Sequence, residues 1–574
     1  MEENHGLFAQ KNCLIVLNDG NIEPHFKTNL HMIECLLKLG YCCQILHCPS
    51  FVDLQNLITY NPEIIKANQN TLYELTKKSD ANSRINYSNL ESCQHICMSE
   101  IITEHVFYET IEHVQQIKEE EYLEYFYEGI NIGKIAAIDL SLSLKATFAN
   151  LKDPRVKMLA SLTIANNIFA IKAVKFLCRP ELKSNSTLVL QSSVYSQNIC
   201  IQKYCFDNFM RHRIYHKASS TTDAVQIITD QQTNICLRRQ LMDTKFSHGS
   251  IIEYFEFARN QIIYLCGDKV SAHKYSPSNK AFNNLTLEKA LNLKTHKKTL
   301  TYFTNSPDEE IAIDASHESS YVTKTPFNCN PFGSENEFLL NLKEYMIYNL
   351  DVQLIVRLHP RLGKCKRHGF KSFSLEPYLK QIQDIFIELD NVKIIKPDQE
   401  IPSYWLGCWS DGILGYRGSM PREMNLFGYQ PILANTDNKL INTAISIHSE
   451  LNPKTKAQWV QALDTIGNSE NTEYQLTSFI KDYYYSLMLG SINISNHGDP
   501  EMLEAINYAL DSGNSLKFFD YKLDDSHKIK RFHLIKYLLW LQDYLYYNVC
   551  SNTSAPVFSK INNTLVTIQS QIIR

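Results

Sequence analysis

No stretch of about twenty consecutive apolar residues occurs in the sequence, so no uninterrupted apolar run has the length that spans a bilayer as a helix. An excess of one charge is missing too. Its 57 Lys and Arg stand against 61 Asp and Glu, and a net charge of −4 leaves no electrostatic footprint for a nucleic acid. The opening residues Met1-Glu2-Glu3-Asn4-His5 are polar where a signal peptide would be apolar. Neither a repeat at a fixed period nor a low-complexity segment is visible. A cytoplasmic setting is expected, with peripheral association at an inner membrane face left open.

Cysteine, by contrast, is plentiful, with 16 residues spread from Cys13 to Cys550. In a large chain without a secretory leader they read as reduced thiols. Cys93 and Cys97 are close enough to share a metal, but no second pair at zinc-finger spacing accompanies them. Small buried hydrophobe is the commoner role for such thiols, and no metal is expected. The hydrophobic share of 44% and charged share of 21% are those of a globular protein with full cores. Its 574 residues call for more than one domain.

The organisation emerges from the run-lengths. Asn12 to Asn18 is a short continuous apolar stretch, as expected of a parallel strand buried on both faces. From His25 to Leu39 the apolar residues Phe26, Leu30, Ile33, Leu36 and Leu37 recur at helical spacing, and Gly40 sits where a helix would stop. Tyr41 to His47 completes a βαβ unit. Residues 100 to 178 are mostly helical in pattern. A strand over Thr187–Gln191, a helix from about Gln197 to Met210 and a short strand at Ile214–His216 follow. Polar text between Lys269 and Lys298 marks a linker.

The alternation then restarts. Strands are expected at Thr299–Thr304, Val352–Leu358, Val392–Ile395, Gly412–Leu414 and Pro431–Ala434. Helices are expected at Glu335–Tyr348, Leu375–Leu389, Pro402–Trp409 and Pro421–Phe427. The expected fold is α/β, with two Rossmann-like domains facing a cleft and a mainly helical C-terminal region. Their bounds would be 1–268 with a helical insertion, 269–298 for the linker, 299–452, and 453–574 packing on both domains.

Ligands of open α/β sheets bind beyond the carboxyl ends of the strands, so the polar residues there are the candidates. His359 follows an apolar strand and precedes Pro360, which blocks further pairing and fixes the turn. His359 or Arg357 can donate to a phosphate and stabilise a leaving nucleotide; equally, His359 can cap the strand through a backbone carbonyl. Gly418-Ser419 ahead of a helix from Pro421 suits either an anion cradle at the positive helix end or an ordinary Ser cap. Glu423 complements the helix dipole or accepts from a ribose. Asn305-Ser306 end the second domain's first strand, and Asp308-Glu309-Glu310 are either solvated dipole partners or ligand groups. Asp19 and His25 occupy the matching loop of the first domain, where either can act as general base toward an acceptor hydroxyl. The tyrosine clusters at 483–485 and 544–547 fit helix packing better than sugar stacking.

Together, Asn305-Ser306-Pro307-Asp308-Glu309, Arg357-Leu358-His359-Pro360-Arg361, Pro397-Asp398, Ile401-Pro402-Ser403-Tyr404 and Asp411-Gly412 through Gly415-Tyr416-Arg417-Gly418-Ser419, with Glu423, Gly428 and Pro431, carry a resemblance. They resemble the GT-B glycosyltransferases of bacterial capsule and surface-polysaccharide biosynthesis, a group with the Kdo-transferase and sialyltransferase layout. In the first domain Pro24-His25-Phe26-Lys27-Thr28, Glu34, Gly40, Leu46-His47-Cys48, Gly129 and Gly133 are similar. The resemblance implies that His359, Pro360 and Ser419 bind the nucleotide and phosphate of an activated sugar. A CMP- or UDP-linked sugar would be donor substrate, with no cofactor and no metal, and a glycan or glycolipid would be acceptor. Gly418-Ser419-Met420 departs from the Ser-Thr or Ser-Ser expected there. Two other outcomes fit the same architecture: a nucleotide-sugar epimerase or polyol-phosphate transferase, and a non-catalytic glycan-binding member of a polysaccharide assembly complex.

Overall fold

The computed structural model describes residues 11–17, 25–49, 69–146, 150–178, 186–191, 195–219, 221–229, 246–247, 251–267, 289, 291–294, 296–310, 331–364, 371–434, 453–466, 473–488, 491–495, 498–513, 522–523, 527–550 and 553–573. They fall into two compact units. The first draws on 1–234 and 490–520, and the second on 235–310, 322–489 and 521–574.

In the first unit β1 (Asn12–Leu17), α1 (His25–Lys38) and β2 (Cys42–His47) form the expected βαβ opening. α2 (Gln69–Asn86) leads to β3 (Gln94–Cys97), then α3 (Ile132–Leu144), α4 (Pro154–Leu177), β4 (Ser186–Gln191), α5 (Ser196–Asp207), β5 (His212–Lys217) and β6 (Ala224–Ile228) follow. The order β3-β2-β1-β4-β5 is parallel throughout, and β6 closes antiparallel on β5. β1 lies in the middle with Cys13 through Leu17 buried, which is why its sequence reads as one apolar run. The chain reverses its direction of travel between β1 and β4, making a switch point there.

α4 is long and apolar enough, by length and composition, to cross a membrane, but most of that stretch is buried inside the unit. Asp153 caps it by accepting from the Arg155 amide, with Pro154 in its first turn. α3 enters the unit so tightly that a Cβ on Gly133 would stand 1.8 Å from the Tyr122 carbonyl oxygen, so only glycine fits. A buried polar cluster joins α3, α4 and α5. Ser196 donates its amide to Asp139 Oδ1 at 3.2 Å, and its Oγ lies against Asp139 Oδ2 and 3.0 Å from Asn167 Oδ1. One hydroxyl proton cannot serve two acceptors, so either Asp139 is protonated and donates to Ser196 Oγ, or the Asn167 amide is turned so that its otherwise unpartnered Nδ2 donates there.

In the second unit α6 (Ile251–Cys266) precedes β7 (Lys298–Phe303), α7 (Glu335–Tyr348), β8 (Val352–Arg357), α8 (Leu375–Phe386), β9 (Val392–Ile395), α9 (Ser403–Trp409), β10 (Gly412–Gly415), α10 (Met420–Glu423) and β11 (Ile432–Leu433). The sheet is wholly parallel in the order β9-β8-β7-β10-β11, so each unit carries a Rossmann-like sheet. Leu300, Tyr302, Leu354, Val356 and Leu414 from the strands pack against Phe338, Leu339 and Leu342 of α7 and against Leu379, Ile382 and Phe386 of α8. Residues 307–310 form a helical turn, and one local expectation changes: the helix expected at Pro421–Phe427 is the single turn α10 followed by a 3-10 turn over Met424–Phe427.

The expected domain bounds also shift. α6, expected in the first domain, belongs to the second unit because its aromatic face finds partners on α12 (Glu473–Met488) and α14 (His527–Asn548), which follow α11 (Lys456–Thr465). Tyr254 and Phe257 meet Tyr484 at 4.9 and 5.2 Å between ring centroids, and Phe255 meets Tyr537 at 5.1 Å. Tyr483, Tyr484 and Tyr537 are thus packing residues. Conversely, the C-terminal region is not one body. β12 (Ile492–Asn493) returns to the first unit and pairs antiparallel with β6, and α13 (Pro500–Ser512) buries Ile506, Ala509 and Leu510 there. Arg213 of β5 holds that helix by donating from Nε to the Leu510 carbonyl at 2.6 Å and from Nη2 to the Asp511 carbonyl at 3.1 Å. α15 (Pro556–Ile573) ends the chain in the second unit. Most of the expected linker lies outside the described residues. Its last part is already fixed: Gln353 of β8 exchanges hydrogen bonds of 3.0 Å with the backbone of Lys294.

Burial pushes Asp139 up from the ordinary 3.8 to about 7. The folded chain therefore keeps a proton that the unfolded chain releases, and this contribution is full below pH 3.8 and lost as pH rises to about 7. The slope reaches about 1.4 kcal/mol per pH unit. Urea unfolding of Asp139→Asn at pH 5 and pH 7 should show the variant gaining on the wild type as pH rises. A constant difference would contradict the assignment.

Candidate functional site

The register of the second sheet sets three strand ends side by side, because Phe303 of β7 pairs with Arg357 of β8 and with Gly415 of β10. The loops Thr304–Ser306, Leu358–Arg361 and Tyr416–Ser419 therefore leave the sheet together. The reversal between β7 and β10 makes this the unit's switch point. The loops touch. The His359 amide donates to Thr304 Oγ1 at 3.0 Å, and a Cβ on Gly418 would meet Asn305 Oδ1 at 3.1 Å. Gly418 also has φ +110, which side-chain-bearing residues rarely adopt.

Glu335, in the first turn of α7, sits at the base of this arrangement. Its carboxylate accepts from the hydroxyls of Tyr302 and Tyr378, the latter at 2.7 Å, and from the Asn305 amide. Burial raises its pKa, opposed by those three donors and by the charge of Arg417. Sequence reading gave Glu335 no role beyond opening a helix. A tyrosine in a buried strand, Tyr302, was the available signal, since a buried phenol needs a partner.

His359 caps the short 3-10 turn Pro360–Leu362: its Nδ1 accepts from the Arg361 amide at 3.2 Å. The strand cap through a backbone carbonyl is not what forms: the imidazole accepts from an amide and caps the turn that follows. That bond places the proton of the neutral ring on Nε2. Burial holds the His359 pKa below its ordinary value, with Glu309 opposing, so the ring is a neutral N–H donor at neutral pH. Its side chain is 27% exposed, with Nε2 4.0 Å from Glu309 Oε2.

Next to it, Arg361 is buried with Nη2 3.1 Å from Asp308 Oδ2 and Nη1 2.8 Å from Glu309 Oε1. Asp308 is fully buried, and burial raises its pKa against the pull of Arg361. The acidic triplet is therefore not a row of solvated dipole partners. The motif bearing Arg361 was visible in the sequence; its partners, about fifty residues upstream, were not.

Several expected ligand residues are committed elsewhere. Arg357 is the main correction: its buried guanidinium donates to the carbonyls of Lys396, Gln399 and Ile401, fixing the loop after β9 instead of facing a phosphate. Ser306 is buried and donates to Asp308, while Asn305 donates from Nδ2 to Glu310 Oε1 at 2.6 Å. These two hold the loop's shape. Ser419 is exposed, but the helix behind it offers few donors. Pro421 has no N–H, and the amides of Arg422 and Glu423 both donate to the Ser419 carbonyl. Glu423 is half-buried, accepts from Tyr404 and Ser419, and has its pKa raised by burial. Pro360 fills the first position of its turn.

In the first unit His25 opens α1 beside the switch point of that sheet, and its Nδ1 accepts from the Gln191 side-chain amide at 2.7 Å. In that tautomer Nε2 carries the hydrogen, the wrong polarity for the general base expected of it. Asp19 lies outside the described residues. Among the described residues no group of three or more His, Cys, Asp or Glu could hold a metal. Cys93 and Cys97 are buried, and Cys97 lies 3.8 Å from the Asp80 carbonyl.

No family model and no curated protein matches the chain. Solved structures do. UDP-GlcNAc 2-epimerase from Neisseria meningitidis bound to UDP-GlcNAc is similar over 87% of this chain and 99% of its own, at 9% identity and TM-score 0.27. The calicheamicin glycosyltransferase CalG4 is similar over 83% and 95%, at 9% identity and TM-score 0.24. Tyrosyl-tRNA synthetase from Leishmania major is similar over 84% and 93%, at 10% identity and TM-score 0.23. Scores this low, spread over three activities, leave function to the residues themselves.

Replacing Arg361 with Met leaves Asp308 buried without its counter-charge, and the expected cost is about 3 to 5 kcal/mol in chemical unfolding of the second unit. A loss under about 1 kcal/mol, typical of an exposed pair, would contradict the arrangement.

Proposed function

We propose that the carboxyl edge of the second sheet binds the phosphate of a nucleotide-sugar, and that the chain is a glycosyltransferase passing the sugar to an acceptor glycan or glycolipid of surface-polysaccharide assembly. The observation that carries this reading is His359, held by the Arg361 amide as a neutral Nε2–H donor at the switch point. A donor fixed before the ligand arrives needs no reorganisation when charge develops on the leaving oxygen.

In the reaction the bond between the anomeric carbon and the phosphate oxygen breaks, and the acceptor hydroxyl oxygen bonds to that carbon. The leaving nucleotide takes the electron pair, and His359 Nε2–H donates to its phosphate. Gly418 lets the β10 loop approach the same phosphate because nothing projects from it, and the exposed Ser419 adds its hydroxyl by turning its proton from Glu423 to the phosphate. Glu423 is the acceptor for ribose hydroxyls. A UDP- or CMP-linked donor fits this set of hydrogen-bonding groups. The acceptor's proton needs a base, and the tautomer of His25 argues against that residue.

Calorimetric titration with CMP, UDP, GDP and CDP tests the reading. At least one should bind the wild type, and His359→Ala should weaken that binding several tens of fold, about 2 to 4 kcal/mol as for a lost oxyanion donor. Unchanged affinity would remove His359 from the site. Binding of none would end the transferase reading.

A further inference from the structure

Among the described residues two carboxylates face Arg361. Asp308 already neutralises it: the two side chains are 0% and 1% exposed, with Nη2 and Oδ2 3.1 Å apart. Glu309 adds a second carboxylate to the same guanidinium, at 2.8 Å from Nη1, yet its own side chain is 32% exposed. Its other oxygen points toward His359, 4.0 Å from Nε2. One carboxylate thus accepts from a nitrogen of a buried arginine and lies 4.0 Å from Nε2 of a partly exposed imidazole, just beyond hydrogen-bond reach. A carboxylate set between an arginine and an imidazole marks a position that suits an anionic group.

We infer that Glu309 is a resident stand-in for the ligand: its carboxylate occupies the anion position between Arg361 and His359, and a phosphate group of the incoming ligand displaces it. This rests on the phosphate-binding reading of the same edge. The two carboxylates differ in what they can do. Asp308 cannot leave, because it would strand a buried guanidinium, whereas Glu309 can swing to solvent while Asp308 keeps Arg361 neutral. The exchange keeps an anion beside Arg361 throughout. In the ligand-free chain the exchange keeps weak anions off His359 and favours groups of higher charge, phosphates over carboxylates.

Isothermal titration of the full-length wild type, Glu309→Gln and Glu309→Gln/His359→Ala with pyrophosphate, UDP and uridine tests this. Gln keeps the shape and removes the competing charge, so pyrophosphate and UDP should bind about tenfold more tightly to Glu309→Gln, in line with the loss of one adjacent charge. Uridine should be unaffected, and the gain should vanish in the double variant. If pyrophosphate binds Glu309→Gln equally or more weakly, while that variant melts like the wild type, the inference is overturned. Should the Gln variant unfold, Glu309→Ala carries the same expectation. The two readings fail separately. Tighter pyrophosphate binding with no nucleotide bound by either protein would uphold the displaced carboxylate and remove the nucleotide-sugar. A nucleotide bound by the wild type with no gain in Glu309→Gln would remove only the displaced carboxylate.

Discussion

The second sheet's carboxyl edge depends on a charge pair with no solvent around it. Arg361 and Asp308 lie at 1% and 0% exposure, where an isolated charge is costly; Nη2 and Oδ2 stand 3.1 Å apart as a charge contact, and the guanidinium donates a hydrogen bond to Glu309. The pair ties the loop after β8 to the helical turn after β7. Those are the two loops that flank His359, so its ring is oriented by a backbone that cannot drift. Glu335 does the equivalent work on the other side by collecting two phenols and the Asn305 amide. Arg357 extends the frame to the loop after β9 through three carbonyls. Rigid buried contacts thus surround a few exposed groups, which is how a site is pre-organised for charge that develops later.

This division between frame and site explains which residues were legible. The strands were readable because parallel strands buried on both faces leave continuous apolar runs, as in Cys13–Leu17 and Leu354–Val356, and α7 was readable as a helix of about its observed extent, Glu335–Tyr348. His359-Pro360 and Gly418 were visible because a proline and a glycine there impose backbone constraints. The direction of a polar side chain was not visible. Arg357 and Arg361 are four residues apart and equally cationic, yet one binds backbone carbonyls and the other two carboxylates, according to which loop faces each. Ser306 and Asn305 look like ligand groups in sequence and turn inward for the same reason.

The domain bounds failed on another physical point. Chain order does not dictate which unit a segment completes. β12 and α13 lie late in the sequence but find an open antiparallel edge at β6 and two carbonyl-seeking arginines, Arg211 and Arg213, in the first unit. α6 lies early but its aromatic residues find Tyr484 and Tyr537 in the second. Neither edge strand β6 nor its partner was read from the sequence, because two-residue pairings such as β12 carry almost no periodicity.

The central claim is that an anionic nucleotide settles at the carboxyl edge of the second sheet. Amide hydrogen exchange of the full chain, with and without saturating UDP or CMP, addresses it most directly. Slowed exchange concentrated in residues 304–310, 359–364 and 416–423 is the predicted result. Protection confined to the first sheet's edge around 25–30 and 195–198, with those second-sheet loops unchanged, would contradict it.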